Sequence, residues 1–346
     1  MRIGVIAPPW VPIPPPAYGG TEVVVDTLTT GLLKAGHDVR LFASGDSSTD
    51  VPLEWVIPVA PGIDTGGSAV EFHHVKSAYD AFSDCDVIHD HTVLGPLYGA
   101  RNARRPVVTT NHNPFALPFS AILADVAASV PIIAISHHHA RSAAPIPIAA
   151  VIHHGVEPSK FPIGDGGGGY VLFLGRMSEG KGAHRALRIA REAGVELVLA
   201  GKMHTDAEHE YFDTHVAPHL GKGATYVGEV DAVTKVELLT KAACVLNPIA
   251  WPEPFGMVMI ESLACGTPVL ALASGAAPEI IEHGVTGFLA DSEDELVRHL
   301  AELDSIERVA CRARVEAQFS AGRMVRDHVQ LYEQLIAADQ TARVTS

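Results

Sequence analysis

Two glutamates eight residues apart, Glu253 and Glu261, bracket the segment Pro254-Phe255-Gly256-Met257. Pro252 and Pro254 forbid helix before Phe255. Val258, Met259, Ile260, Leu263 and Ala264 then recur with the spacing of a helix packed on a core. The spacing predicts a helix starting at Phe255 or Gly256, stopped by Gly266 and Pro268 and followed by a buried strand, Val269 to Leu272. Its first turn leaves N–H groups without intrahelical partners, and the missing side chain of Gly256 lets an anion such as a phosphate approach them. Helix side chains lean towards the N-terminus, so Glu261 can point back to the place that Glu253 borders. Carboxylates repel phosphate but accept hydrogen bonds from neutral hydroxyls, and a sugar nucleotide carries both kinds of group. The alternative is structural: Glu253 favours the helix dipole by about 0.3–1 kcal/mol and Glu261 is a solvated helix residue.

Further charge lies upstream. In GRMSEGKG, residues 175–182, Gly175, Arg176 and Lys181 fall between a strand end and a helix start, where two cations and a helix terminus can converge on one diphosphate. Solvated loop charges are the alternative. Gly19-Gly20 stands at a second loop-to-helix junction, as a phosphate contact or a plain turn, and there is no G-x-G-x-x-G to support a dinucleotide site. Polar residues also gather where other strands run out: His89-Asp90-His91, Asn111-His112-Asn113 and Ser136-His137. Each can be a cap or turn residue, and each is placed to line a cleft; His112, flanked by asparagines and followed by Pro114, is the position best suited to function. Asp84-Cys85-Asp86 matches a metal–nucleotide D-x-D pattern but precedes its strand, which puts it at the wrong sheet edge. The 19 histidines include no helical H-E-x-x-H, and no metal site is expected.

The elements that must position these groups alternate. Strands are expected at Arg2–Ala7, Val39–Ala43, Glu54–Ile57, Asp86–His89, Pro106–Thr110, Pro131–Ile135 and Ile148–Ile152. After VEPSKFPIGDGGGGY, residues 156–170, which reads as a flexible hinge, the grammar restarts. Strands are expected at Val171–Leu174, Val195–Ala200, Thr225–Val227 and Cys244–Asn247, with helices around Lys181–Ala193, Thr205–Val216 and Ala232–Ala242. This gives an α/β chain of two domains: 1–155, a linker 156–169, 170–322, and a last helix in 323–346.

Composition narrows the partners. A length of 346 residues with 47% hydrophobic content fills two cores, and no apolar run reaches the length of a membrane span. The N-terminus enters a strand directly, so a cytoplasmic protein without membrane insertion is expected. A net charge of −15 disfavours nucleic acid. The four cysteines, Cys85, Cys244, Cys265 and Cys311, are widely spaced and read as reduced, buried residues.

With these residues in place, nearly the whole chain resembles the retaining GT-B glycosyltransferases of family 4, also called glycosyl transferases group 1. The carriers are Gly19-Gly20, His112 in TTNHN, Gly175-Arg176 with Lys181-Gly182, the pair Glu253 and Glu261 in EPFGMVMIESLACGTPV, and APEIIEHGVTGFL, residues 277–289. The resemblance implies two facing Rossmann-like domains with a cleft between them, acceptor on the first and donor on the second. It implies that Arg176 and Lys181 bind the donor diphosphate and Glu261 the ribose. Glu253 and the backbone at Phe255, Gly256 and Met257 would hold the transferred sugar. Gly175 belongs to the donor loop, Gly19 and Gly20 contact phosphate, and Val227, Gly228 and Glu229 hold the base. His112 touches the sugar near the reacting carbon, and Tyr18, His89, Asp90 and His91 are acceptor-side candidates. The last helix, Arg323 to Ala337, would cross back to the first domain. The expected activity is metal-independent, retaining transfer from a nucleoside-diphosphate sugar, UDP-sugar favoured and GDP-mannose possible, without a cofactor. The first domain is short and lacks an obvious basic amphipathic helix, although Arg101, Arg104 and Arg105 form a small patch; a soluble sugar, glycoside or natural-product acceptor is favoured. Competing readings are a sugar-nucleotide epimerase or phosphorylase of the same architecture, and a non-catalytic sugar-nucleotide binder.

Overall fold

A computed structural model describes residues 1–17, 19–62 and 67–345, the last two without their side chains. Two compact units emerge, one comprising Met1–Pro15, Gly19–Gly155 and the chain from Ala321, the other built chiefly of Val156–Ser320.

The first unit runs β1 (Arg2–Ile6), α1 (Gly20–Lys34), β2 (Asp38–Phe42), β3 (Leu53–Glu54), α2 (Gly67–Ala81), β4 (Val87–Asp90), α3 (Gly95–Asn102), β5 (Val107–Thr110), α4 (Phe119–Val126), β6 (Ile132–Ala134), α5 (His137–Ser142) and β7 (Ala150–Val151). Its parallel sheet has the order β3-β2-β1-β4-β5-β6-β7. Every residue of β4 and β5 is buried, as expected of strands covered on both faces. On one side Phe82, Tyr79, Val75, Ile88 and Val107 form a continuous core, each large side chain contributing about 1.5–3 kcal/mol by leaving water.

The second unit runs β8 (Tyr170–Leu174), α6 (Ala183–Ala193), β9 (Glu196–Ala200), α7 (Asp206–His215), β10 (Ala224–Tyr226), α8 (Ala232–Lys241), β11 (Val245–Asn247), α9 (Met257–Ala264), β12 (Val269–Leu272), α10 (Ala277–Ile280), β13 (Gly287–Ala290), α11 (Glu293–Leu300) and α12 (Arg308–Gln318). Its parallel sheet is ordered β10-β9-β8-β11-β12-β13. The final helix, α13 (Ala321–Thr345), packs on α1 and β4 in the first unit. It sits so close that a side-chain carbon on Gly31 would lie 2.5 Å from Val325. No helix among the described residues is long and apolar enough to cross a membrane.

The glycine-rich stretch is structured, and both sheets differ from expectation at one edge. The glycine-rich stretch 156–169 is fastened to the second unit: Val156 bridges Ser320, and the N–H groups of Gly164, Gly166 and Gly168 donate to the carbonyls of Cys265, Thr240 and Lys241 at 2.9, 3.1 and 2.9 Å. A side chain at Gly164 would start 1.9 Å from the Thr240 oxygen, so glycine serves close backbone approach there. The edge strand expected at Glu54–Ile57 is only Leu53–Glu54. β13, unforeseen as a strand, closes the other sheet edge through Phe288 and neighbours. All four cysteines are free and buried.

Candidate functional site

In the second unit the strand order reverses between β8 and β11. Such a reversal leaves a crevice beyond the carboxyl ends of the flanking strands. Here the loop from Gly175 to Gly182 and the segment from Pro248 to Gly256 follow those ends. The two loops touch, since a side chain on Gly182 would lie 2.7 Å from the Pro248 carbonyl. Beside them β8, β9 and β10 end backbone to backbone: Gly175 donates to Ala200, and Gly201 to the Gly228 carbonyl at 2.9 Å. A carbon added to Gly201 would collide with the Gly175 oxygen at 1.7 Å.

Helix α9 begins at Met257, with Gly256 as its cap at φ 101° and ψ 76°, a conformation that favours glycine. Phe255 is buried, with its ring centroid 6.2 Å from that of Phe319. Glu253 has an oxygen 3.6 Å from the position a Gly256 side chain would take. Its other oxygen is ion-paired with Lys181, both side chains being 15% exposed. The Lys181 ammonium also lies 6.0 Å from the Trp251 ring. A cation, a hydrogen-bond acceptor and a helix N-terminus thus surround one glycine, a set suited to a phosphate joined to a hydroxylated group.

The remaining donor-side candidates are distributed differently. Glu261, only 4% exposed in its side chain, pairs with Lys235 of α8 at 2.5 Å. Each glutamate therefore has its own lysine. Arg176 reaches Glu208 at 3.4 Å, a different carboxylate from the partner of Lys181. Glu208 is buried and closes the capping box of α7, accepting the Thr205 N–H at 3.4 Å and also the N–H of His204 at 2.8 Å. Val227 is exposed at the end of β10, with Gly228 and Glu229 following.

The first unit presents a second cluster. Asn111 locks the turn after β5, its amide donating to the Asn113 carbonyl at 2.8 Å and its oxygen accepting the Asn113 N–H at 3.0 Å. His139 receives the Ile135 N–H on Nδ1, so its proton sits on Nε2 and is donated to the Asn113 carbonyl at 2.8 Å. This brace presents His112, whose Nε2 is 2.9 Å from Nδ1 of His91. Both imidazoles, with Thr110, Asn111, Phe119 and Leu123, line a cavity of about 20 Å³. Burial and neighbouring histidines keep these rings neutral: His112 is pushed down to about 3 and His139 to about 4, and His91 falls well below its ordinary value. At the other loop-to-helix junction, Gly20 opens α1 and nothing lies within 4 Å of where its side chain would be. The Gly19 carbonyl accepts the Val23 N–H at 3.1 Å.

His89 and Asp90 do not face a ligand. His89 is fully buried between Tyr332 Oη at 2.6 Å and Thr110 Oγ1 at 2.8 Å. Asp90 is equally buried and accepts from Tyr79 Oη at 2.9 Å and from the Thr92 N–H and hydroxyl, each at 2.7 Å. Burial raises its carboxyl to about 6 against those hydrogen bonds. Its position at the end of β4 matched a cleft, but its bonds hold the β4–α3 turn. Tyr18 lies outside the described residues. Asp84 and Asp86, before β4, are engaged by Arg40 and Arg2 and serve the opposite sheet edge.

Lys235, Glu208 and His328 escaped the sequence reading. Lys235 and Glu261 pair across α8 and α9, which no linear spacing reveals. His328 was accessible: Met324, His328 and Tyr332 recur every four residues on the buried face of α13.

Comparison with known proteins bears on the fold and the family. Residues 18–160 match the family described as glycosyltransferase family 4, and residues 159–317 match glycosyl transferases group 1. The phosphatidyl-myo-inositol mannosyltransferase of Mycolicibacterium smegmatis is 28% identical, the match covering 99% of this chain and 93% of that one. Among solved structures, AviGT4, a glycosyltransferase involved in avilamycin A biosynthesis, superposes with a TM-score of 0.73 at 24% identity, over 97% of this chain and 98% of the other. Anabaena Alr3699/HepE in complex with UDP and glucose gives 0.77 at 18% identity, over 96% and 100%. With both halves matched in order and the same two-sheet fold, the chain belongs to the GT-B glycosyltransferases of family 4.

Proposed function

We propose that the chain is a retaining, metal-independent hexosyltransferase that uses a nucleoside-diphosphate sugar, UDP-sugar first, and delivers the sugar to a hydroxyl of a soluble sugar, glycoside or natural product. The observation that carries this reading is the Lys181–Glu253 pair seated at Gly256, the start of α9. In this reading an arriving diphosphate takes over the Lys181 ammonium, and the released Glu253 carboxylate accepts a hydroxyl of the sugar. Arg176 adds charge to the same phosphates after exchanging Glu208 for them. Glu261, held by Lys235, accepts from the ribose, and the backbone after β10 receives the base. The HepE complex with UDP and glucose supports the UDP preference.

The bond from the anomeric carbon to the phosphate oxygen breaks, and negative charge grows on the leaving diphosphate. Lys181, Arg176 and the N–H groups at the start of α9 stabilise that charge, worth several kcal/mol, roughly 3 for one well-placed donor. A covalent intermediate would need a carboxylate free to attack, and Asp90 is committed to three donor groups. Front-face transfer fits better: the acceptor oxygen bonds to the same face of the anomeric carbon, and its proton passes to the departing phosphate oxygen.

Two curated relatives are named for acceptors containing inositol, the mannosyltransferase above and a D-inositol 3-phosphate glycosyltransferase that is 26% identical over 85% of this chain. An inositol-bearing acceptor is therefore the second reading. Incubation with UDP-glucose and GDP-mannose against a panel containing glucosides, inositol and inositol phosphate, in the presence of EDTA, tests all of these. Expected is a product with the donor's α configuration by proton NMR. A β product, or turnover only with added divalent metal, would overturn the retaining or the metal-independent part.

A further inference from the structure

His91 and His112 share one hydrogen bond, and only one of them can be its donor. His91 is 5% exposed. Its backbone N–H is fixed to the Ile6 carbonyl at 2.9 Å, and its ring lies against His89 with centroids 4.1 Å apart. The ring therefore has little freedom to turn. Nε2 of His91 is buried and has no hydrogen-bond partner among the described residues.

That orphaned atom decides the direction of the bond. If His112 donated from Nε2, a neutral His91 would carry its own proton on Nε2 and strand an N–H in the interior. If His91 donates from Nδ1, the stranded atom is a bare lone pair. Buried N–H groups without an acceptor are the rarer and costlier case. The same unit holds a parallel: His74 donates from Nε2 to the Ala7 carbonyl at 2.9 Å and leaves a buried Nδ1 without a partner. A carbonyl only accepts, so the tolerated orphan there is a lone pair.

We infer that His91 is a positioning residue that donates through Nδ1 to Nε2 of His112, committing His112 to carry its proton on Nδ1 and to meet a ligand as a hydrogen-bond donor, not as a base. Nδ1 of His112 has no partner among the described residues, so the proton is available to a ligand oxygen. Isolated histidine side chains favour the proton on Nε2; the His91 contact reverses that preference. With Nε2 occupied by the His91 proton, His112 has no lone pair with which to act as a base. The sugar as ligand rests on the function proposed above; the direction of the bond does not.

The test is long-range proton–nitrogen NMR of the full chain labelled with ¹⁵N-histidine at pH 7.5, with His112→Gln used to assign the His112 signals. Expected is a His112 ring protonated on Nδ1. In His91→Leu the proton should move to Nε2, and in His91→Gln, whose amide can donate, it should stay on Nδ1. Turnover should fall at least tenfold in His91→Leu with UDP affinity within twofold of wild type, and His91→Gln should recover most of it. A wild-type His112 protonated on Nε2, or a tautomer unmoved in a folded His91→Leu, overturns the inference. The spectrum needs no sugar donor: failure of the wild-type protein to bind any nucleotide would sink the transferase reading while the tautomer result still decided this one.

Discussion

Glu253 and Lys181 occupy each other, and the sequence motif that marks them says nothing of that pairing. The motif was legible because prolines, Gly256 and a helical apolar repeat stand in one continuous stretch; the ion pair joins two loops 72 residues apart. Glu253→Gln removes the competitor of the phosphate. UDP, which has no sugar for Glu253 to hold, should bind this variant at least as tightly as wild type, while turnover drops roughly 100-fold. Weaker UDP binding would contradict the exchange of partners. Lys235→Met leaves the 4%-exposed Glu261 carboxylate without its counter-charge. Expected is a loss of roughly 1–3 kcal/mol in stability together with weaker UDP binding. A thermal melt indistinguishable from wild type would show that the pair contributes nothing.

Helices and strands explain why so much polar chemistry sits inside the first unit. β4, β5, β7 and α13 bring His89, His91, His112, His154 and His328 into one row, with ring centroids 4.1–5.3 Å apart between neighbours. The strand positions were legible from their apolar runs, and the polar residues at strand ends from the places where those runs stop. The row itself was not, because α13 completes it from more than 200 residues away. Burial lowers the proton affinity of these rings, His112 to about 3 and His328 to about 4, with His89, His91 and His154 well below normal. Above the ordinary histidine range both folded and unfolded chains hold them neutral. As pH falls below about 6.5 the unfolded chain gains protons that the folded chain refuses, and each ring costs up to about 1.4 kcal/mol per pH unit until its folded value is reached. Asp90, raised to about 6, acts in the opposite sense, and it is a single group. The first unit should therefore keep its stability above pH 7 and unfold near pH 5 in melts followed by circular dichroism. Equal melting temperatures at pH 7.5 and pH 5 would contradict a neutral, buried row.

Across the whole molecule the two units repeat one plan, a parallel sheet whose order reverses beside β1 or β8. The alternation of apolar strands and amphipathic helices made that plan readable. The glycine-rich stretch shows where composition stops informing: four consecutive glycines allow either a loose chain or a tightly apposed one, and the backbone contact of nearby Gly164 with Thr240 is visible only in the structure. With a net charge of −15, any anionic ligand must be drawn by a local site, and the second unit offers Lys181 beside the start of α9. Calorimetric titration of the wild-type and Lys181→Ala proteins with UDP, GDP and ADP, without added metal, examines that site directly. Binding selective for one nucleotide, UDP first, and at least tenfold weaker in Lys181→Ala is the expected result. Equal affinity in both proteins, or no binding of any of the three by wild type, would contradict a diphosphate held at Lys181.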